Sequence, residues 1–249
     1  MNRIRQERIK KYVESKNVAT IGELRALFPE VSLMTLHRDL TALEQMGIIT
    51  KYRGGVRSVH QLDDIEFNIR MKENTAGKTS MMKKAMKLLH PQSSIFLDTS
   101  TSNIILARHL PDMDVNITTI SPNIALELCR LKNATVNLCG GTMNPRTLSV
   151  SGINTLELLE KINIDLAFIG VSGCSGEVGF TCGTEADMQI KRLVIRKART
   201  SVVLCGADKF KRLMPFTFAK ISDVDYVISD EPLPEDFVRS CEENGVKIL

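Results

Sequence analysis

The chain lacks a C-x-x-C pair, an internal repeat, a low-complexity segment and any apolar run approaching the ~18 residues of a membrane span. Its six cysteines (129, 139, 174, 182, 205 and 241) sit mostly in apolar runs such as VNLCGG and SVVLCGA. That placement argues against a zinc site or a disulfide frame. It predicts reduced core thiols in a cytosolic, cytoplasmic protein. His60, His90 and His109 are scattered without ligand spacing, so no metal and no cofactor is expected. The N-terminal MNRIRQERIKK is charged and lacks a following apolar segment, so neither a signal peptide nor a membrane partner is expected. At 249 residues, 43% hydrophobic and 25% charged, the chain suits one large domain or a small and a medium one, with enough core to need no staples.

An excess of charge is also missing overall, since the net is +4, but the distribution is uneven. Residues 1–60 carry eleven Lys and Arg against six Asp and Glu, a net of +5, while the remainder holds 22 against 23. A basic N-terminal module on a neutral body suits an acidic partner such as nucleic acid.

Within that module the periodicity predicts three short helices and a hairpin. Residues 3–15 place Ile9, Tyr12 and Val13 on one face, with Ile4 a candidate fourth member. Thr20 with Glu23 is a capping-box signature ahead of Leu24, Leu27 and Phe28, and Pro29 stops that helix. Ser32 then opens a third helix whose buried stripe is expected to be Leu36, Leu40, Leu43 and Met46, ending at Gly47. IITKYRGGVRSV reads as a β-hairpin turning at Gly54-Gly55. This is a winged helix-turn-helix pattern. The leucines occupy one face of the third helix, leaving Ser32, Met34, Thr35, His37 and Arg38 near its N-terminal end, where a recognition helix meets base edges and phosphates. Arg38 can donate two hydrogen bonds to guanine, and the Thr35 methyl can pack on thymine. Lys51, Arg53, Gly54 and Arg57 on the hairpin suit the DNA backbone or minor groove. Asp39 is expected to hold Arg38, or a helix-one base such as Arg8, by a salt bridge.

The run SLMTLHRDLTALEQMGIITKYRGGV resembles the N-terminal domain of the DeoR family of bacterial transcription regulators. Ser32, Thr35, Leu36, His37, Arg38, Asp39 and Leu40 fit the family's pattern, and the Gly-Gly wing follows at the right distance. Most members carry Arg where this chain has His37, which implies a partly different operator.

Residues 58–75 are polar without a clear apolar face and read as a linker between a DNA-binding domain at 1–57 and a larger domain at 76–249. Gly77-Lys78-Thr79 imitates the end of a P-loop, but Lys72 stands five residues before Gly77 where a glycine would be needed, and no strand precedes it. AGKTSMMKKAMKLL instead reads as a helix with a Met82, Ala85, Met86, Leu89 stripe. From residue 94 strands and helices alternate, and IDLAFIGVSG reads as one longer strand. Near-continuous apolar strands predict a mainly parallel sheet covered by helices, an α/β fold.

In such sheets ligands bind at the carboxyl ends of strands. FLDTSTSN leaves its strand at Asp98 and offers Thr99, Ser100, Thr101 and Ser102 at a helix entry. TTISPN delivers Ser121 and Asn123, LCGGT allows close approach at Gly140-Gly141, and CGADKFK presents Asp208, Lys209 and Lys211. A hydroxyl cradle with carboxylates and a cation suits a phosphorylated polyol, the phosphate pairing with a lysine or Arg146.

The body of the chain is also similar to the DeoR sensor domain. The family's D-x-G-T-T loop stands here as Asp98 to Ser102, its T-N strand end as Ser121-Pro122-Asn123, its G-G as Gly140-Gly141, and its E…K helix as Glu185 and Lys191. The resemblance implies a fold like ribose-5-phosphate isomerase and CoA-transferase-like proteins and a sugar-phosphate effector. Two positions depart from it: Ser100 replaces the loop glycine, and Asp208-Lys209-Phe210-Lys211 replaces D-x-S-K. The expected function is a repressor of a sugar-metabolism operon, not an enzyme. Its expected partners are double-stranded operator DNA and a phosphorylated sugar or sugar derivative, in a homodimer or homotetramer. The alternatives are an activator, or a sugar-phosphate isomerase or deaminase fused to a DNA-binding module, with Asp98, Glu185 and Asp208 as acid–base groups.

Overall fold

The structure is a computed structural model. It describes the backbone of all residues except 1, 17, 47, 53, 59–69 and 72, and all side chains of the described residues except those at 2, 3, 18, 50, 52, 57 and 211. The chain divides into two compact units, Met1–Ile65 and Glu66–Leu249.

The first unit runs α1 (Asn2–Lys16), β1 (Val18–Thr20), α2 (Ile21–Leu27), α3 (Leu33–Gln45), β2 (Ile49–Tyr52) and β3 (Gly55–Ser58). Helix α2 starts on the expected capping box: the Thr20 hydroxyl accepts from the Glu23 amide at 3.1 Å, and the Glu23 carboxylate accepts from the Thr20 amide at 2.8 Å. Those bonds, with one from Lys16, pull the Glu23 carboxyl down to about 2. Ile9, Val13, Leu24, Phe28, Leu36, Leu40, Leu43, Ile49 and Val56 close into one core. Three apolar residues read as inward-facing are not buried: Ile4 is 71% exposed, Met46 62% and Leu27 37%. Each sits near a helix end, where the apolar stripe has already run past the edge of the small core. Strand β1 was not anticipated. Three residues are too few to show alternation, and β1 exists only because β3 pairs with it, giving the antiparallel order β1-β3-β2. Gly55 already belongs to β3, so the turn falls one residue earlier than Gly54-Gly55. The expected helix end at Gly47 lies outside the described residues.

The second unit is built on seven strands, all parallel, in the order β15-β14-β12-β9-β4-β5-β6 among the described residues. These are β4 (Ser94–Leu97), β5 (Val115–Thr119), β6 (Ala134–Leu138), β9 (Ile164–Gly170), β12 (Ala198–Leu204), β14 (Tyr226–Ile228) and β15 (Lys247–Ile248). Alternate strand residues feed two separate cores. Ile95, Leu97, Leu166, Phe168, Val202 and Leu204 pack under α4 (Thr75–Ala85), α5 (Thr101–His109) and α6 (Pro122–Leu128). Phe96, Ala167, Ile169, Val203 and Cys205 pack under α7 (Ile153–Lys161), α8 (Glu185–Lys197) and α9 (Glu235–Glu243). Burial on both faces is why these strands read as unbroken apolar runs.

The remaining strands are antiparallel: the hairpin of β7 (Thr142–Asn144) with β8 (Ser149–Ser151), and a sheet of β10 (Gly173–Ser175), β11 (Gly179–Cys182) and β13 (Phe216–Ala219). IDLAFIGVSG is therefore two strands rather than one, broken after Gly170. Two edges of the expected linker also belong to folded elements: Ser58 closes β3, and Met71 packs against the α4–α6 core.

From β4 the chain winds outward through β5 to β6, returns to β9 on the other side of β4, and continues to β12, β14 and β15. The winding direction thus reverses between β4 and β9, and their carboxyl ends diverge there to leave a crevice.

Candidate functional site

The first unit presents its polar chemistry on α3. Ser32 is the N-cap, its hydroxyl accepting from the Thr35 amide at 3.2 Å and meeting the Thr35 hydroxyl at 2.9 Å. Met34, 83% exposed, and the exposed His37 and Arg38 lie on the face opposite Leu36, Leu40 and Leu43. Arg38 forms no ion pair among the described residues. Asp39 is fully buried and receives the Arg5 guanidinium at 2.5 Å and the Gln6 amide at 3.2 Å. Its partner is thus a helix-one base, but neither Arg8 nor Arg38. Arg8 lies over the Phe28 ring, 5.0 Å from its centroid. The wing is tied back to the same helix: Lys51 reaches Glu44 at 3.1 Å and the Thr41 hydroxyl at 2.9 Å, and its amide donates to Glu44 at 2.9 Å. That amide bond, ahead of the ammonium, lowers the Glu44 carboxyl below its ordinary range. Gly54 stands at φ +103°, and its carbonyl accepts from the Ile21 amide at 3.0 Å, fixing the turn against α2. Arg53 and the side chain of Arg57 lie outside the described residues.

The second unit gathers its polar groups in the crevice between β4 and β9. Ser100 lines it from the β4–α5 loop and Thr101 and Ser102 from the first turn of α5, with Gly170 at the end of β9, Ser172 after it, Gly206, Asp208 and Lys209 after β12, Arg212, and Arg70, Glu73, Asn74 and Lys78 around the start of α4. Ser100 replaces the family's glycine at no backbone cost, because φ −65° and ψ 146° suit any residue, and its hydroxyl caps α5 by accepting from the Asn103 amide. Asp98 lies beneath the loop, 1% exposed, and accepts from the amides of Ser100 and Gly170 and from the Asn103 side chain, each at 2.8 Å. Gly170 has no room for a side chain: a Cβ would stand 2.2 Å from that of Ser100. Lys191 closes this floor from α8, bonding the Gly170 carbonyl at 2.9 Å, Asp187 at 2.9 Å and Asp98 at 3.5 Å. Burial would push the Lys191 ammonium down, but the carboxylates of Asp187 and Asp98 outweigh it and hold it well above the ordinary lysine range.

The predicted effector residues therefore separate. Ser100, Thr101, Ser102 and Asp208 reach the crevice. Asp98 and Lys191 form its floor, and Thr99 is buried without lining it. Ser121 caps α6, with Asn123 in its first turn. Gly140, Gly141 and Arg146 lie beyond β6, two strands from β4. Gly141 is there because a Cβ would meet the Ser151 carbonyl oxygen at 2.4 Å, and Arg146 donates its amide to Asn144. Glu185 is exposed in the first turn of α8, paired with Gln189. The side chain of Lys211 lies outside the described residues, and Lys209 lines the crevice beside Asp208, 2.7 Å away. Asp98, Glu185 and Asp208 do not converge as an acid–base set.

The charged crevice residues that sequence reasoning missed are Arg70, Glu73, Lys78 and Arg212. Lys78 had a signal: it stands one turn before Met81 and Met82 on the buried side of α4, where a lysine needs a reason. Its ammonium donates to the carbonyls of Arg70 and, at 2.5 Å, Glu73, and burial, with Lys209 nearby, pushes it down to about 8. Arg212 donates to the Ser172 carbonyl at 2.7 Å, and nothing in its local sequence marks it.

The two units match two family models: the DeoR-like helix-turn-helix domain over residues 5–62 and the DeoR C terminal sensor domain over residues 73–231. The chain is 26% identical over 249 residues to the HTH-type transcriptional regulator IolR of Bacillus subtilis, covering 100% of this chain and 99% of that one. It is 30% identical to the HTH-type transcriptional regulator GlpR of Haloferax volcanii (88% and 86% covered) and 29% identical to the HTH-type transcriptional repressor GlcR of Bacillus subtilis (96% and 92%). These relatives are named as regulators of transcription, not as enzymes. A ribose 5-phosphate isomerase A from Methanocaldococcus jannaschii overlays with a TM-score of 0.42 at 17% identity over 55% of each chain.

Proposed function

The chain belongs to the DeoR family of transcriptional regulators, and from that premise we propose that it represses a sugar-metabolism operon and leaves its operator when a phosphorylated sugar or sugar derivative occupies the crevice of the second unit. One observation carries the reading: the hydroxyl residues Ser100, Thr101, Ser102 and Ser172 and the basic residues Arg70, Lys78, Lys209 and Arg212 line one crevice at the point where the sheet's winding reverses. Hydroxyls and the α5 amides suit phosphate oxygens, and Asp208 suits a sugar hydroxyl. Operator recognition falls to Met34, His37 and Arg38 on α3, supported by the wing. A single α3 reads one half-site, so the protein acts as a homodimer or homotetramer on duplex DNA, in the cytoplasm. The effector acts only in so far as it prefers the arrangement that does not bind DNA.

A thermal-shift screen tests the crevice. Phosphorylated sugars are expected to raise the melting temperature where their unphosphorylated counterparts do not. Equal behaviour of the two sets, or no shift with any, overturns the effector assignment. Selection of binding sites from a random duplex library, read by anisotropy with and without the stabilising compound, then tests operator release.

A further inference from the structure

We propose that Lys78 is the residue that converts occupancy of the crevice into a signal: in the empty crevice its ammonium holds the backbone carbonyls of Arg70 and Glu73, and an anionic effector draws that ammonium away and releases them. The inference rests on reading the crevice as an anion pocket and adds how the occupied state leaves it.

Three observations point there. Lys78 is buried, yet forms no ion pair among the described residues; its ammonium is held by two neutral carbonyls. Lys191, the other buried lysine of this site, has two carboxylates. A buried cation without a contact ion pair is costly: the carboxylates of Glu73 and Asp208 act on Lys78 only from a distance, and burial with the neighbouring Lys209 outweighs them and drives the ammonium down to about 8. An anion at the crevice would supply a counter-charge in direct contact. An ammonium has three donors, and two are engaged, so an entering oxyanion can take the third before competing for the others.

The second observation is that the helix carrying Lys78 is anchored at its start. Asn74 caps α4 by accepting from the Gly77 amide at 3.1 Å and donates to Asp230 at 2.6 Å. Asp230 in turn accepts from the Ala207 amide at 2.8 Å. A Cβ on Gly77 would stand 2.2 Å from an Asp230 oxygen, so a side chain there would displace Asp230 or Asn74. With α4 fixed, a change at the Lys78 ammonium is taken up by what it holds.

Third, Arg70 and Glu73 belong to the stretch through which the chain enters the second unit from the DNA-binding unit, and both also line the crevice. The wall that an effector touches is thus covalently continuous with the route to the first unit.

The test is hydrogen exchange on the full-length protein, following peptides across residues 66–77, with inorganic phosphate and glucose 6-phosphate as probes and calorimetry to score binding. Binding is expected to speed exchange in those peptides in the wild-type chain. Lys78→Gln should exchange fast there without any probe, show no response on adding one, and bind the probes about tenfold more weakly, the loss of one charge-assisted hydrogen bond. Binding to the wild type without faster exchange overturns the latch and leaves the effector reading standing. Exchange in Lys78→Gln equal to that of the empty wild type does the same. Absence of binding by the wild type sinks the effector reading and takes the latch with it. Should Lys78→Gln not fold, as judged by circular dichroism, Lys78→Arg keeps the charge, and the wild-type comparison still decides.

Discussion

Helix α3 and the β4–α5 loop are each built around a short run of polar residues, and they use them in opposite ways. On α3 Leu36, Leu40 and Leu43 face inward and Met34, His37 and Arg38 face solvent, so a partner comes to them. At the β4–α5 loop Asp98, Thr101, Ser102 and Asn103 are themselves buried, and the loop is braced by Gly170 and Lys191, from 67 or more residues further along the chain. The first is a surface and the second an assembled cradle. Substitutions on the surface should change binding without changing stability, whereas substitutions under the cradle should change stability first.

The largest expected effect is at Asp98. Replacing it by Ala removes the acceptor of three hydrogen bonds and one of the two carboxylates facing Lys191. We expect the second unit to lose about 3–5 kcal/mol, measured by urea denaturation. A loss no greater than that of an ordinary surface substitution would mean that the loop stands without its floor. Asp39→Ala should cost the first unit about 2 kcal/mol, less because Arg5 keeps some access to water. If operator affinity fell while thermal unfolding stayed put, Asp39 would belong to the interface and not to the brace. Arg38→Ala should weaken specific binding by about 1–3 kcal/mol in an anisotropy titration and leave the melting temperature unchanged. An unaltered operator preference would remove Arg38 from the reading face.

The last effect is one of pH and separates the two buried lysines of the crevice, Lys78 and Lys191. The folded state holds Lys78 at about 8 against 10.5 for the free side chain. Between those values the unfolded chain binds the proton that the folded chain has released, so the Lys78 contribution to stability rises with pH across that window. Lys191 is raised instead, so its contribution is in place below 10.5 and is lost only at higher pH. Denaturation midpoints of the wild type should therefore gain on those of Lys78→Met as pH climbs through this window. A constant difference would show that Lys78 titrates as it does in water.

Much of the first unit was legible because its determinants are local. The capping box at Thr20 and Glu23, the Ser32 cap and the leucine period on α3 each act within one or two helical turns. Even so, the Asp39 partner was not readable, because several bases on α1 compete for it and only packing selects Arg5. In the second unit the alternation of strand and helix and the hydroxyl loop after β4 were visible, but the order of strands was not. The expected cluster at successive strand ends counted β5 and β6 as equal to β4. The topology instead places Ser121, Asn123, Gly140 and Gly141 on the side away from β9 and brings in Lys78, Lys209 and Arg212.

By itself the sequence determined the two modules, the capped helix α3 with its leucine stripe and the parallel α/β character of the body, since caps, turns and hydrophobic periods are short-range properties of the chain. Tertiary structure alone decided which polar residues share a crevice, because that depends on where the winding of the sheet reverses. It also left Lys78 a buried cation without a salt bridge among the described residues, because burial and partners are fixed only when distant segments pack.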